Sequence, residues 1–137
     1  MARTTESGRK ADASRTRQDI LTVARAEFTD HGLSGARVDA IAEKTRTTKR
    51  MIYYYFGSKE GLYAAVLEQA YADIRTAEAT LQLDAEAPEA ALRRMIEFTF
   101  DYHEDHADFV RLVAVENIHQ GHYMAQMKNI QTVNADI

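Results

Sequence analysis

The stretch IAEKTRTTKRMIYYYFGSKEGLY, residues 41–63, decides how this chain is read. Ile41 and Ala42, with Val38 just before them, have the spacing of a short buried helix from Val38 to about Lys44. A polar break, Thr45-Arg46-Thr47, follows. Thr48 is suited to cap a further helix from Lys49 to Phe56, because its hydroxyl can accept one of the amide hydrogens a helix start leaves unsatisfied. Gly57 breaks that helix, and Ser58 caps a longer one with Glu60 in its first turn, where a carboxylate complements the helix dipole. On the helix 49–56, Ile52 and Phe56 lie one turn apart and face inward, which turns Lys49, Arg50, Tyr53 and Tyr54 outward.

Working back from this stretch, Ile20, Ala24 and Phe28 repeat at four-residue spacing with Leu21 beside them. They predict a first helix from about Thr16 that ends at Gly32, with Leu33 closing the terminus. Residues 1–15 lack apolar periodicity, carry Arg3, Arg9, Lys10 and Arg15, and read as a flexible basic arm able to reach a minor groove. Working forward, Leu62, Val66, Ala70 and Ile74 carry the fourth helix to about Leu83. DAEAP (84–88) is a linker with Pro88 opening a fifth helix, whose expected core face is Leu92, Met95, Ile96 and Thr99, with Phe98 or Phe100 at its margin. A sixth helix is expected from about Asp105 to Ile118 on Phe109, Leu112, Val113 and Val115. Beyond Gly121 a seventh could use Met124, Met127, Ile130 and Val133. The fold class is therefore all-α. Three short helices, the second and third separated by a short polar turn, form a helix-turn-helix head, joined by a long fourth helix to a helical bundle. The expected division is an arm (1–15), a helix-turn-helix head suited to DNA (16–62) and a helical body (63–137), incomplete because the seventh helix would still be running at Ile137.

Composition narrows the function. The net charge is −4, but residues 1–60 hold 12 Lys+Arg against 8 Asp+Glu, and the remainder holds 5 against 13. A basic head on an acidic body suits a protein in which only the head meets phosphate. Zero cysteines exclude a disulfide framework and thiolate-ligated zinc. The polar first residues hold no secretory core, and no apolar stretch reaches the ~18 residues of a membrane span, so a cytoplasmic protein with no membrane partner is expected. Enzyme chemistry finds no support, since there is no phosphate-cradling glycine loop and no nucleophile motif. No cofactor is expected. His103/His106 and His119/His122 have the i, i+3 spacing of metal ligands, but each pair straddles a helix junction, and no metal site is expected.

With these residues in view, the run 41–63 resembles the signature of the TetR family of bacterial transcription regulators. The resemblance rests on Ile41, Ala42, Thr48, Ile52, Tyr53, Tyr55, Phe56, Ser58, Lys59, Glu60 and Leu62, preceded by Ala26, Glu27, Phe28, His31, Gly32 and Val38. It covers about 45 residues and implies a homodimer that reads a double-stranded operator and answers to a small-molecule effector. By the same resemblance, Thr47, Thr48, Arg50, Tyr53, Tyr54, Tyr55 and Lys59 contact DNA, Arg37 adds a phosphate contact, and dimer contacts come mostly from the last two helices. Lys49 and Arg46 join this set by position. Two departures stand out. Arg46 occupies the family's turn glycine, so either it tolerates a left-handed backbone or the turn has another shape. Ala36-Arg37 replaces a Thr/Ser pair and removes the hydroxyl cap of the second helix. The expected function is a repressor released from its operator by an effector, for which Met95, Phe98, Phe100, Tyr102, Phe109, Met124 and Met127 are candidate pocket residues. The alternatives are an activator, or a helical ligand-binding or interaction protein that does not bind an operator.

Overall fold

The structure is a computed structural model that describes residues 6–123 and 125. Its elements are α1 (Glu6–Gly35), α2 (Val38–Lys44), α3 (Lys49–Phe56), α4 (Lys59–Ala79), a 3₁₀ turn (Leu83–Ala85), α5 (Pro88–Asp105) and α6 (Ala107–Ile118). No strand occurs among the described residues. The chain divides into two compact units, residues 1–66 and 67–137.

In the first unit, Ile20, Leu21, Ala24 and Phe28 of α1 are buried with Val38, Ile41 and Ala42 of α2, Ile52 of α3, and Leu62, Tyr63 and Val66 of α4. Phe28 and Tyr63 meet edge to face, their ring centroids 5.1 Å apart, a geometry that places a positive ring edge over a negative face. The helical run of α1 is interrupted at Gly32, whose φ of 68° and ψ of 177° no helix accommodates. One more turn then leads to buried Leu33 and Ala36. Upstream, the segment expected as a flexible arm is helical from Glu6 onward. Arg9, Lys10 and Arg15 are exposed on it, and Arg3 lies outside the described residues. A solvated helix turn needs only backbone hydrogen bonds and tolerable propensity, so it leaves no apolar periodicity to read.

The second unit is built around an aromatic cluster. Phe109 of α6 meets Tyr71 of α4 and Tyr102 of α5 edge to face, both at 5.7 Å. Tyr102 also stacks on His106, with ring centroids 3.9 Å apart. The His106 Nδ1 lies 3.0 Å from the Tyr102 carbonyl oxygen, which can only accept, so Nδ1 carries the proton. His106 thus ends α5 and begins α6 in one residue.

The core face of α5 differs from the expected one. Tyr102 is its buried residue, with Met95, Phe98 and Thr99 half-buried. Leu92, Ile96 and Phe100 are 61%, 61% and 68% exposed. Apolar residues cover more of this helix than its described neighbours cover, and the inward arc is the one centred on Tyr102. On α6, Phe109 and Leu112 are buried as expected, Val113 and Val115 are half-buried, and Glu116 is buried with 1% exposure. Of the expected seventh helix, Met124, Met127, Ile130 and Val133 lie outside the described residues.

Candidate nucleic-acid interface

The surface formed by α2, the turn after it and α3 is assembled by three local devices. The first ends α2. The Thr47 N–H donates to the Ala42 carbonyl at 3.0 Å and the Arg46 N–H to the Glu43 carbonyl at 3.2 Å. This crossed pair of bonds is the Schellman arrangement, which requires a left-handed residue between them. Arg46 supplies it, with φ of 54°. Of the two possibilities the sequence left open, the arginine accepts the left-handed turn, at a cost on the order of 1 kcal/mol.

The second device starts α3. Thr48 has an extended backbone, and its hydroxyl accepts the Met51 N–H at 3.1 Å. The third joins α3 to α4. Gly57 turns the chain with φ of 83°, and the Ser58 hydroxyl accepts the Gly61 N–H at 2.9 Å.

Between these devices α3 presents a graded surface. Ile52 is fully buried and Phe56 half-buried. The opposite direction on a helix of 3.6 residues per turn belongs to Arg50 and Tyr54, one turn apart. Both are exposed, Tyr54 to 78%. Lys49, also exposed, lies on one flank with half-buried Tyr53, its ammonium 6.0 Å from the ring centre. Lys49 further pairs with Asp39 of α2 at 3.7 Å, a contact between two exposed groups that contributes little to stability. Tyr55, half-buried, lies on the other flank and meets Tyr54 edge to face at 5.5 Å. The three consecutive tyrosines therefore take three directions: Tyr54 projects, with Tyr53 on one flank and Tyr55 on the other.

The remaining expected contacts frame this surface. Thr47 is half-buried and Thr48 exposed, and Arg46 is exposed beside them. The Lys59 ammonium donates to the Ser34 carbonyl at 3.4 Å, which ties the start of α4 to the chain just ahead of exposed Arg37. Arg17 places its guanidinium 5.1 Å from the centre of the Phe56 ring, covering the last residue of α3. All ten expected residues thus belong to the first unit, strung along α2, the turn, α3 and the start of α4.

Sequence reasoning missed four participants. Met51 is 39% exposed beside Arg50, where a purely inward or outward reading had no place for it. Asp39 steadies Lys49. Gly61 leaves no room for a side chain, since a Cβ there would meet the Phe56 carbonyl oxygen at 2.1 Å. Glu27 is buried to 6% exposure, and its Oε1 accepts the Arg37 N–H at 3.2 Å. The signal for Glu27 was present: it falls three residues after Ala24 and next to Phe28, on the buried face of α1.

Among the described residues no group of three or more His, Cys, Asp or Glu side chains is placed to hold a metal ion. None of the described helices is long and apolar enough to cross a membrane.

Comparison with known proteins agrees with this architecture. Residues 20–66 match the family described as "Bacterial regulatory proteins, tetR family", and residues 88–137 match "Tetracyclin repressor-like, C-terminal domain". The chain is 42% identical over 128 residues to the HTH-type transcriptional repressor NicS of Pseudomonas putida, covering 93% of this chain and 60% of that protein. It is 36% identical over 110 residues to the HTH-type transcriptional repressor SCO4008 of Streptomyces coelicolor, covering 80% and 54%. Among solved structures, a transcriptional regulator of Streptomyces coelicolor, SCO4942, superposes with a TM-score of 0.62 at 33% identity, over 88% of this chain and 65% of the other. The chain spans between half and about two thirds of the length of these relatives. With a matching head, a matching helical body and relatives named as transcription regulators, this chain belongs to the TetR family.

Proposed function

We propose that the protein is a DNA-binding transcription repressor that reads duplex DNA through α3 in the major groove and is released by a small-molecule effector. The exposed Arg50–Tyr54 face carries this reading. An arginine and a tyrosine on the solvent side of an eight-residue helix, capped by Thr48 and flanked by Lys49, supply donors for guanine edges and phosphates and a ring for thymine methyls. Arg50, Tyr53 and Lys49 approach bases. Arg37, Arg46, Thr47, Thr48, Tyr55 and Lys59 hold backbone, with the amide groups at the start of α2 assisting, while the Tyr54 ring reaches thymine methyls and its hydroxyl a phosphate. Repression follows the names borne by NicS and SCO4008.

The protein acts in the cytoplasm as a homodimer, two heads matching successive major grooves ~34 Å apart. In this reading the head closes in the first turns of α4, whose Tyr63 and Val66 belong to its core, and the effector-binding body follows. α4 runs unbroken from Lys59 at the head to Ala79 in the body, a physical link by which the effector changes head spacing. An apolar or aromatic effector suits the apolar row that Leu92, Ile96 and Phe100 leave exposed on α5. Selection of bound fragments from a random duplex pool tests the function. Enrichment of a two-fold-symmetric site is expected; a pool that stays random contradicts it.

A further inference from the structure

We propose that Glu27 is a positioning residue for DNA reading: from inside the head it accepts the N–H of Arg37, the N-cap residue of α2, and pairs with Lys44, the last residue of that helix, so that one side chain fixes where α2 lies. The inference rests on the DNA-reading role proposed above.

Arg37 stands at the N-cap of α2 with extended backbone, φ −116° and ψ 119°, and its side chain makes no capping bond. Its own N–H is instead taken by Glu27 Oε1 at 3.2 Å, delivered from α1 ten residues earlier in the chain. The other carboxylate oxygen, Oε2, lies 3.8 Å from the ammonium of Lys44, the last residue of α2. His31 Nε2 adds a contact to Oε1 at 3.9 Å. One side chain therefore reaches both ends of a helix ~10 Å long.

A carboxylate so buried is costly unless hydrogen-bonded and paired, and these three groups offset that cost. The arrangement also has a directional consequence. α2 is the helix that crosses the DNA backbone in this motif, and the Schellman turn at its C-terminus aims α3. Tilting α2 shifts Arg37 and α3 together. A shift of about 1 Å is enough to spoil aligned hydrogen bonds to bases.

Three variants, measured with the full chain at a temperature where each is folded by circular dichroism, test the assignment. The readouts are affinity for the duplex selected with the wild type, and hydrogen exchange at the Arg37 amide. Glu27→Gln keeps an acceptor oxygen for the Arg37 N–H, and is expected to bind within about threefold of wild type with that amide protected. Glu27→Leu fills the space without an acceptor, and is expected to lose at least tenfold in affinity with the Arg37 amide exchanging fast. Should the leucine variant fail to fold, Glu27→Asp retracts the carboxylate by one carbon and is expected to show the same two changes in weaker form. A folded Leu or Asp variant with wild-type affinity and a protected Arg37 amide overturns the proposal, as do equal losses for Gln and Leu. A wild-type chain that binds no selected duplex refutes the DNA-reading role instead, and the exchange measurement still scores Glu27 alone.

Discussion

A Cβ on Gly61 would stand 2.1 Å from the backbone carbonyl oxygen of Phe56, closer than any side chain can approach backbone. The last turn of the recognition helix and the first turn of α4 are thus packed backbone to backbone, with the Ser58 hydroxyl holding the Gly61 N–H in place. Gly61→Ala must push these two turns apart. Over-packing of this kind costs about 1–3 kcal/mol, and the variant is expected to show a lower urea midpoint together with weaker operator binding. An unchanged midpoint would mean that the junction yields freely.

Arg46 trades stability for charge. Its φ of 54° is a conformation in which glycine carries no Cβ penalty. Arg46→Gly is expected to raise stability by about 1 kcal/mol or less while removing one cation beside the reading helix. The same variant should bind DNA more weakly, with a plot of log affinity against log salt shallower by about one contact. A variant that is stabilised yet binds with the same salt slope would remove Arg46 from the interface.

Thr48 is a cap first. Its hydroxyl holds the Met51 N–H at 3.1 Å, so Thr48→Ala is expected to cost about 1 kcal/mol and Thr48→Asn much less, since asparagine caps equally well. Thermal melts of the two variants compare them directly. Equal losses would show that something other than the cap dominates.

Tyr71 in the second unit gives a signature in alkali. Burial raises its pKa above the ordinary value of 10.0, the Glu116 carboxylate raises it further, and Arg75 opposes both. The folded state therefore holds the protonated phenol more tightly than the unfolded chain does. This contribution to stability is complete below the unfolded value and is lost as pH rises from there through the folded one. The urea midpoint should fall above pH ~10, and Tyr71→Phe should flatten part of that fall. An identical profile for the two proteins would show that Tyr71 does not sense the change.

What was legible in the sequence was the part written in local chemistry. Thr48, Gly57 and Ser58 mark the ends of α3 and the start of α4 because caps and positive φ need those residue types. Ile52 and Phe56 placed the inward side of α3 because they are an apolar pair one turn apart on a helix whose other side carries Lys49 and Arg50. The orientation of α5 was not legible: Leu92, Ile96 and Phe100 form one apolar row, Met95, Phe98 and Tyr102 another, and periodicity alone does not say which a neighbour covers. Glu27 and Glu116 were missed for a related reason. Glu27 is held largely by Arg37 and Lys44, groups beyond its own helix segment, and spacing within one helix does not name such partners. The left-handed Arg46 lay between, since the sequence flagged its position and the hydrogen bonds from Thr47 and Arg46 resolved it.

The central claim is that the exposed side of α3 reads bases, and Arg50 is the residue on which it turns. The direct measurement is fluorescence anisotropy of the wild type and Arg50→Ala on the selected duplex and on a scrambled duplex at one salt concentration. The wild type should prefer the selected duplex by at least about a thousandfold. Arg50→Ala should lose about 1–3 kcal/mol on the selected duplex and far less on the scrambled one. Equal losses on both duplexes, or a wild type indifferent between them, would contradict base reading by α3.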